Sequence, residues 1–235
     1  MRQDICSIPI SEIFEPKNSC PFCKMRDMLE DRMATYITGA AMMEPDVRIE
    51  TNRQGFCKTH FEQILMRGSR LSVALILESL LDEIDKELLD EKNPIKKQVK
   101  SADIREKSCF VCDNIEKNMK HLCLSTINLW QKEEEFKELY KNQTHICVNH
   151  YNYIMKIANS EMPKKNFAIF AEISRNLCKN YMDTLKNDVT HFCRMFDYRN
   201  AGGDWGNSEN AIERAIEYLT SRKLEVSTKT EGKNR

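Results

Sequence analysis

Apolar residues in this chain recur mostly three or four positions apart, the spacing of one face of an α-helix, and only seven glycines and six prolines interrupt them. The pattern predicts an all-α protein, or nearly so. One helix is expected to follow Cys23 and run to about Gly39. A second is expected from Leu71 to Leu89, with Leu71, Leu75, Leu77, Leu80, Leu81, Ile84 and Leu88 on its buried side. The longest is expected from about Pro163 to Arg199, where Phe167, Phe170, Ile173, Leu177, Tyr181, Leu185, Val189, Phe192 and Phe196 form a stripe wide enough to pack against two other helices. It stops at "NAGGDWGNS", where Gly202 and Gly203 offer a left-handed cap and Asn207 or Ser208 an N-cap for a last helix. From about residue 223 the chain is polar and is expected to be disordered.

The composition changes little of this and excludes several functions. The chain has 235 residues, 41% of them apolar and 31% charged, enough to bury a core without help from a membrane. Lys plus Arg and Asp plus Glu both number 36, so no net field draws the molecule to nucleic acid or anionic lipid. The N-terminus, "MRQDICSIPISEIF", carries Asp4, a proline and Glu12 where a signal peptide needs an unbroken apolar core, and "LSVALIL" at 71–77 is too short to span a bilayer. These features predict an intracellular, cytoplasmic protein.

"DEKNPIKKQVKSADIREK" contains a proline, is rich in lysine and lacks apolar periodicity. It divides the chain into a first unit at 1–90, a linker at 91–108, a second unit at 109–160, C-terminal helices at 161–222 and a tail at 223–235. Its Lys96, Lys97, Lys100 and Arg105 are the chain's best candidates for a phosphate contact. Interspersed Asp and Glu and the absence of aromatics favour a solvated linker instead.

Cysteine and histidine carry the chemistry. "CPFC" supplies Cys20 and Cys23, and "GFCKTH" supplies Cys57 and His60; after the linker "CFVC" supplies Cys109 and Cys112, and "HICVNH" supplies Cys147 and His150. Composition alone yields about 0.4 C-x-x-C and 0.2 C-x-x-H pairs, so one of either means little. Two of each in the same order make an internal repeat. The offset is 89 residues for the first pair and 90 for the second, and Phe22 aligns with Val111, Met33 with Leu122, and Ile64 with Ile154.

Three thiolates and an imidazole make a closed tetrahedral Cys3His shell that suits Zn²⁺ and leaves no position for substrate. A C-x-x-H at the start of a helix presents both ligands on one face. Each repeat is therefore expected to be a helical loop tied at its base by its own metal, Cys20, Cys23, Cys57 and His60 in the first and Cys109, Cys112, Cys147 and His150 in the second. Buried thiols without metal, an iron–sulfur cluster and a thiol-redox site at Cys20 and Cys23 are the alternatives. A redox site of the thioredoxin type lacks its β-α-β context here, and the mixed Cys and His ligands favour zinc over iron.

Cys6, Cys123, Cys178 and Cys193 remain as reduced thiols, the last two about four turns apart on the long helix. His191 and Cys193, two apart on a helix, point in different directions and make a poor third site. His145 is expected in a loop beside a metal; Asp197 and Arg199, at the end of the long helix, could bind a small polar ligand, but a surface ion pair or a helix-terminus contact is the favoured expectation. The sequence has no Gly-rich phosphate loop, G-x-S-x-G or H-E-x-x-H, so an enzyme is the less favoured class.

The paired C-x-x-C…C-x-x-H units together with the helix ending in "FDYRN" resemble an uncharacterised bacterial family, a domain of unknown function, over about residues 4–220. The second unit departs from the first in having "HIC" for "GFC". The resemblance implies a bacterial cytoplasmic protein and no defined activity. The resulting expectation is a helical protein with two structural zinc ions that binds a partner, protein ahead of nucleic acid. A thiol-redox enzyme or sensor, acting through Cys20 and Cys23 or a labile metal, is the alternative.

Overall fold

The structure is a computed structural model that describes residues 8–200 and 202–224; Cys6 and most of the expected tail lie outside them. Among the described residues there are eleven α-helices and no strand. In order they are α1 (Ile8–Phe14), α2 (Pro21–Thr38), α3 (Pro45–Gln54), α4 (Lys58–Arg67), α5 (Arg70–Ile84), α6 (Ile95–Lys107), α7 (Phe110–Lys132), α8 (Glu134–Lys141), α9 (Val148–Glu161), α10 (Lys164–Met195) and α11 (Ala211–Thr220). No described helix is long and apolar enough to cross a membrane.

The chain divides into two compact units, but not at the lysine-rich segment. One unit takes Met1–Lys24 and Leu122–Arg235, and the other takes Met25–His121. The expected linker at 91–108 is instead mostly α6, inside the second of these. It escapes an apolar-periodicity test because its half-buried side is polar: Gln98 donates to the Asp90 carbonyl at 3.0 Å, and Arg105 pairs with Glu87 at 2.6 Å and donates to the Asn52 carbonyl.

The unit formed by both chain ends is built on aromatic packing. Phe14 meets Phe22 and Phe136 edge to face, with centroids 5.9 and 5.1 Å apart, and stacks on Tyr140 at 5.8 Å. Phe170 of α10 closes the cluster against Tyr140 and Trp130. The fully buried Tyr140 hydroxyl donates to Ser174 at 2.8 Å, and Ser174 in turn donates to the Phe170 carbonyl at 2.7 Å, so this polar tip is satisfied, while the buried Trp130 indole N–H beside it has no hydrogen-bond partner among the described residues. The stripe expected on α10 holds in its first part, where Phe170, Leu177 and Leu185 are buried, and runs out at Phe196, which is 72% exposed. The last helix is not capped by Asn207 or Ser208. A 3-10 turn, Gly206–Ser208, precedes it and Asn210 stands at its N-cap. Gly202 has the expected left-handed backbone, with φ of +81°.

In the central unit, α5 packs on α3 and α4, and Arg48 donates to the Leu75 carbonyl at 3.2 Å. The buried side of α5 is Ser72, Val73, Ile76 and Leu80. Of the leucines and isoleucine expected there, Leu80 alone is buried, while Leu71, Leu77 and Leu81 face solvent. Periodicity misplaced the face because α5 is apolar nearly all round, and a helix of that kind carries no sign of which side is inward. The helix continues from Asp85 to Leu89 as a π-helical turn, which α6 packs against.

Truncating Phe170 to Ala is expected to cost about 3–5 kcal/mol, because the ring is fully buried and leaves a cavity. Phe196→Ala is expected to cost about 0.5–1.5 kcal/mol, the worth of its ring contacts with Phe192 and Trp205. Urea unfolding midpoints of the two variants check the difference.

Candidate metal centres

All four cysteine-led pairs occupy the same local position. Cys57 and Cys147 are the N-caps of α4 and α9, with φ, ψ of −74°, 164° and −70°, 158°, and His60 and His150 fall in the first turns. Cys20 and Cys109 stand immediately before α2 and α7, and their carbonyls accept the first helical hydrogen bonds, from the amides of Lys24 and Asp113. Each pair thus presents an N-cap residue and one three positions later from the same end of a helix. Unpaired backbone N–H groups and the helix dipole favour thiolate at that end.

The structure joins these pairs crosswise. Cys20 and Cys23 converge with Cys147 and His150, and Cys57 and His60 converge with Cys109 and Cys112, the four ligand atoms of each set lying within 4.8 Å of one another. All eight expected ligands are brought into sites, but the expected assignment of one metal to each repeat is not what the structure shows: each site takes C-x-x-C from one repeat and C-x-x-H from the other. In chain order the second site is nested inside the first, so they are called inner and outer below. The reason is where the chain returns after α2. His60 at the start of α4 lies against Glu30, midway along α2, with Nε2 to Oε1 at 3.7 Å, and not against the first turn where Cys20 and Cys23 stand.

The loops ahead of the helices are tied in the same crossed sense. The Gly55 carbonyl accepts from the Phe110 amide at 3.0 Å, which sets "GFC" beside "CFVC". Gly55 has φ of +66°, a left-handed turn that a side chain would strain, and this accounts for the glycine the other C-x-x-H lacks. At the outer site the Gln143 amide donates to the Phe14 carbonyl at 2.8 Å and the Thr144 hydroxyl donates to the Lys17 carbonyl.

Distances fit one ion in each shell. Cys23 and Cys147 sulfurs are 3.7 Å apart, and those of Cys57 and Cys112 are 3.9 Å apart. Two ligands on a tetrahedral ion at about 2.3 Å are separated by roughly 3.8 Å. The imidazoles enter by Nδ1: His150 lies 3.0, 3.3 and 3.9 Å from Cys147, Cys23 and Cys20, and His60 lies 3.1, 3.3 and 3.4 Å from Cys57, Cys109 and Cys112.

Electrostatics asks for a cation at both. Hydrogen bonds from Cys20 and Cys23 hold Cys147 far below the usual thiol range, while Cys23 is driven far above it, first by its contact with Cys147. Burial pushes Cys20 up to about 12. At the inner site burial pushes Cys109 up, but the hydrogen bond with His60, the backbone hydrogen bonds of Cys112 and Cys57 and the His60 charge together outweigh it and leave the thiol at about 6; Cys112 is raised by burial and by the charge of Cys109. Each cluster thus favours one thiolate and resists a second. A divalent cation replaces the shared protons and allows the remaining thiols to ionise.

The surroundings of the two sites differ, and the sequence offers no signal for them. Glu30, 6% exposed, faces His60 Nε2 and accepts from the Gln63 amide at 3.0 Å, a carboxylate positioned to orient the imidazole. Arg26 lies 3.8 Å from the same carboxylate. At the outer site Ser221, in a left-handed conformation with φ of +59°, brings its hydroxyl to 2.9 Å from Cys147 Sγ. The inner site opens to solvent at Cys112, which is exposed, and Cys57, which is half-buried; at the outer site Cys20 and Cys147 are buried.

The remaining candidates stay outside both shells. None of the nine described cysteines is in a disulfide; Cys123 and Cys178 are buried and Cys193 is exposed. Cys178 contacts the Tyr218 hydroxyl at 2.9 Å. His145 stacks on Tyr181 with rings 3.9 Å apart, and burial lowers it to about 4. His191 faces the Asp204 carbonyl at 3.1 Å and takes no part with Cys193. Asp197 and Arg199 form the expected surface ion pair.

Two outcomes separate this arrangement from one metal per repeat. Cys20→Ser combined with Cys57→Ser is expected to cost both metals, and Cys57→Ser combined with Cys112→Ser only one, read as metal per chain. Glu30→Gln is expected to weaken the inner site about 10–100-fold and leave the outer one unchanged, as a chelator competition titration would resolve.

The model of a family described as "Family of unknown function (DUF6062)" matches residues 1–226. No curated protein and no solved structure matches the chain.

Proposed function

The chain belongs to that family of unknown function, and since membership brings no activity, we propose from the site itself that this is a zinc protein whose two Cys3His centres are structural and whose function is to bind a protein partner. One observation carries the reading: two sets of three sulfurs and one Nδ1, each within 4.8 Å, complete a four-coordinate shell with protein ligands alone. Such a shell has no open position for water or substrate, which separates structural from catalytic zinc. The short sulfur separations support a single ion over an iron–sulfur cluster, in which sulfurs bound to different irons stand further apart. The lack of a disulfide among the described residues agrees with a reducing, cytoplasmic setting, and the family resemblance adds a bacterial one. Nucleic acid is the less favoured partner, because the lysines of α6 lie on a chain with equal numbers of acidic and basic residues.

The alternative of a thiol-redox sensor draws its support from the inner site, not from Cys20 and Cys23. Cys112 is exposed and its sulfur is 3.9 Å from that of Cys57. A hydroperoxide would take two electrons from these thiolates, forming one S–S bond and, with two protons, water and an alcohol or a second water, and would release the ion.

The purified protein is expected to hold two zinc ions per chain by elemental analysis. Loss on acidification follows from ligand protonation, so zinc is retained at neutral pH and leaves as pH falls. A stoichiometry near one, or iron in place of zinc, defeats the proposal.

A further inference from the structure

Helices α5 and α6, joined through the π-helical turn at Asp85–Leu89, expose residues a helix ordinarily hides. Leu71 is 68% exposed, Leu77 37%, Leu81 62%, Leu89 68%, Ile95 76% and Val99 54%. α6 has no buried residue at all: Gln98, Ser101 and Arg105 turn toward the unit, and Ile95 and Val99, four apart on one face, turn away. An amphipathic helix set with its apolar side outward gains nothing from that side as a monomer. Scattered exposed leucines need no explanation, but exposed leucines along the side of α5 opposite its buried Val73, Ile76 and Leu80, followed at once by α6, which packs on the π-helical turn that ends α5, do.

We propose that this face binds a second copy of the chain, α5 of each copy lying on α6 of the other. Charge selects this occupant. Beside the leucines of α5 stand Glu78, Asp82 and Asp85, and beside Ile95 and Val99 of α6 stand Lys96, Lys97 and Lys100, all exposed and none in an ion pair among the described residues. A twofold axis brings the acidic helix of each copy onto the basic helix of the other, twice, in a four-helix arrangement. Side chains of this size and exposure offer on the order of 100 Å² each, so the six together approach the roughly 800 Å² per partner of a stable interface. The inference deepens the partner-binding part of the proposed function, on which it rests, and is independent of the metal's identity.

Two charge-reversed variants test it, measured by sedimentation velocity across a concentration series with zinc content and helical circular dichroism as controls for folding. Wild type is expected to dimerise. Lys96→Glu with Lys100→Glu sets acidic faces against each other, Glu78→Lys with Asp82→Lys sets basic faces against each other, and each variant alone is expected to bind itself about a hundredfold more weakly. Mixed one to one, the two variants regain both attractive pairings and are expected to form a heterodimer of near wild-type affinity. A wild type that stays monomeric, variants that dimerise as wild type does, or a mixture that fails to assemble would each overturn the proposal, as would a monomer that binds anionic phosphatidylglycerol vesicles through the α6 lysines. A monomer that still holds two zinc ions leaves the metal reading intact and removes only the self-association.

Discussion

Three sulfurs and an imidazole nitrogen within 4.8 Å of one another cannot all carry charge unless a cation sits among them, and the chain sets that condition twice. The chain meets it by placing every ligand pair at the beginning of a helix, where the backbone already favours negative charge and where positions three apart share a face. Four helices, α2, α4, α7 and α9, are thereby directed by their N-termini. Their other contacts follow from that: the aromatic cluster around Phe14 and Tyr140 grows from the segments flanking the outer ligands, and the α3–α5 packing from those flanking the inner ones.

Much of this is legible in the residues. C-x-x-C and C-x-x-H name their ligands because the spacing itself encodes the geometry, and the helical placement of Cys57 and Cys147 follows from the same rule. The pairing is not encoded. Joining within repeats or across them consumes the same six cysteines and two histidines and yields the same Cys3His composition, so the choice rests on the path of α3 and α4 and on loop contacts such as Gly55 with Phe110. Glu30 and Ser221 were invisible for a related reason: their roles exist only once distant segments meet. The misread face of α5 and the helix hidden in the lysine-rich segment share another cause. Periodicity assumes that apolar means inward, and both elements violate that assumption.

Because α5 exposes Leu71, Leu77 and Leu81 opposite its buried side and α6 turns Ile95 and Val99 outward, the central unit displays apolar side chains on two consecutive helices. The contrast with the other unit is instructive. There the buried Tyr140 and Ser174 hydroxyls satisfy each other, and Phe170, Leu177 and Leu185 of α10 are covered. A sequence that hides its large residues with such economy in one place and displays them in another is under different constraints in the two.

The nesting of one site inside the other has a consequence for a chain made from its N-terminus onward. When the nascent protein has grown just past His60, Cys20, Cys23, Cys57 and His60 are already out, a complete Cys3His set of the wrong membership, while Cys109 and Cys147 are still unmade. At roughly 5–20 residues per second the correct partners follow only seconds later. Under the metal reading proposed above, an ion captured early is surrendered or exchanged before the final arrangement closes, and the speed of metal delivery relative to translation becomes part of how the native state is reached.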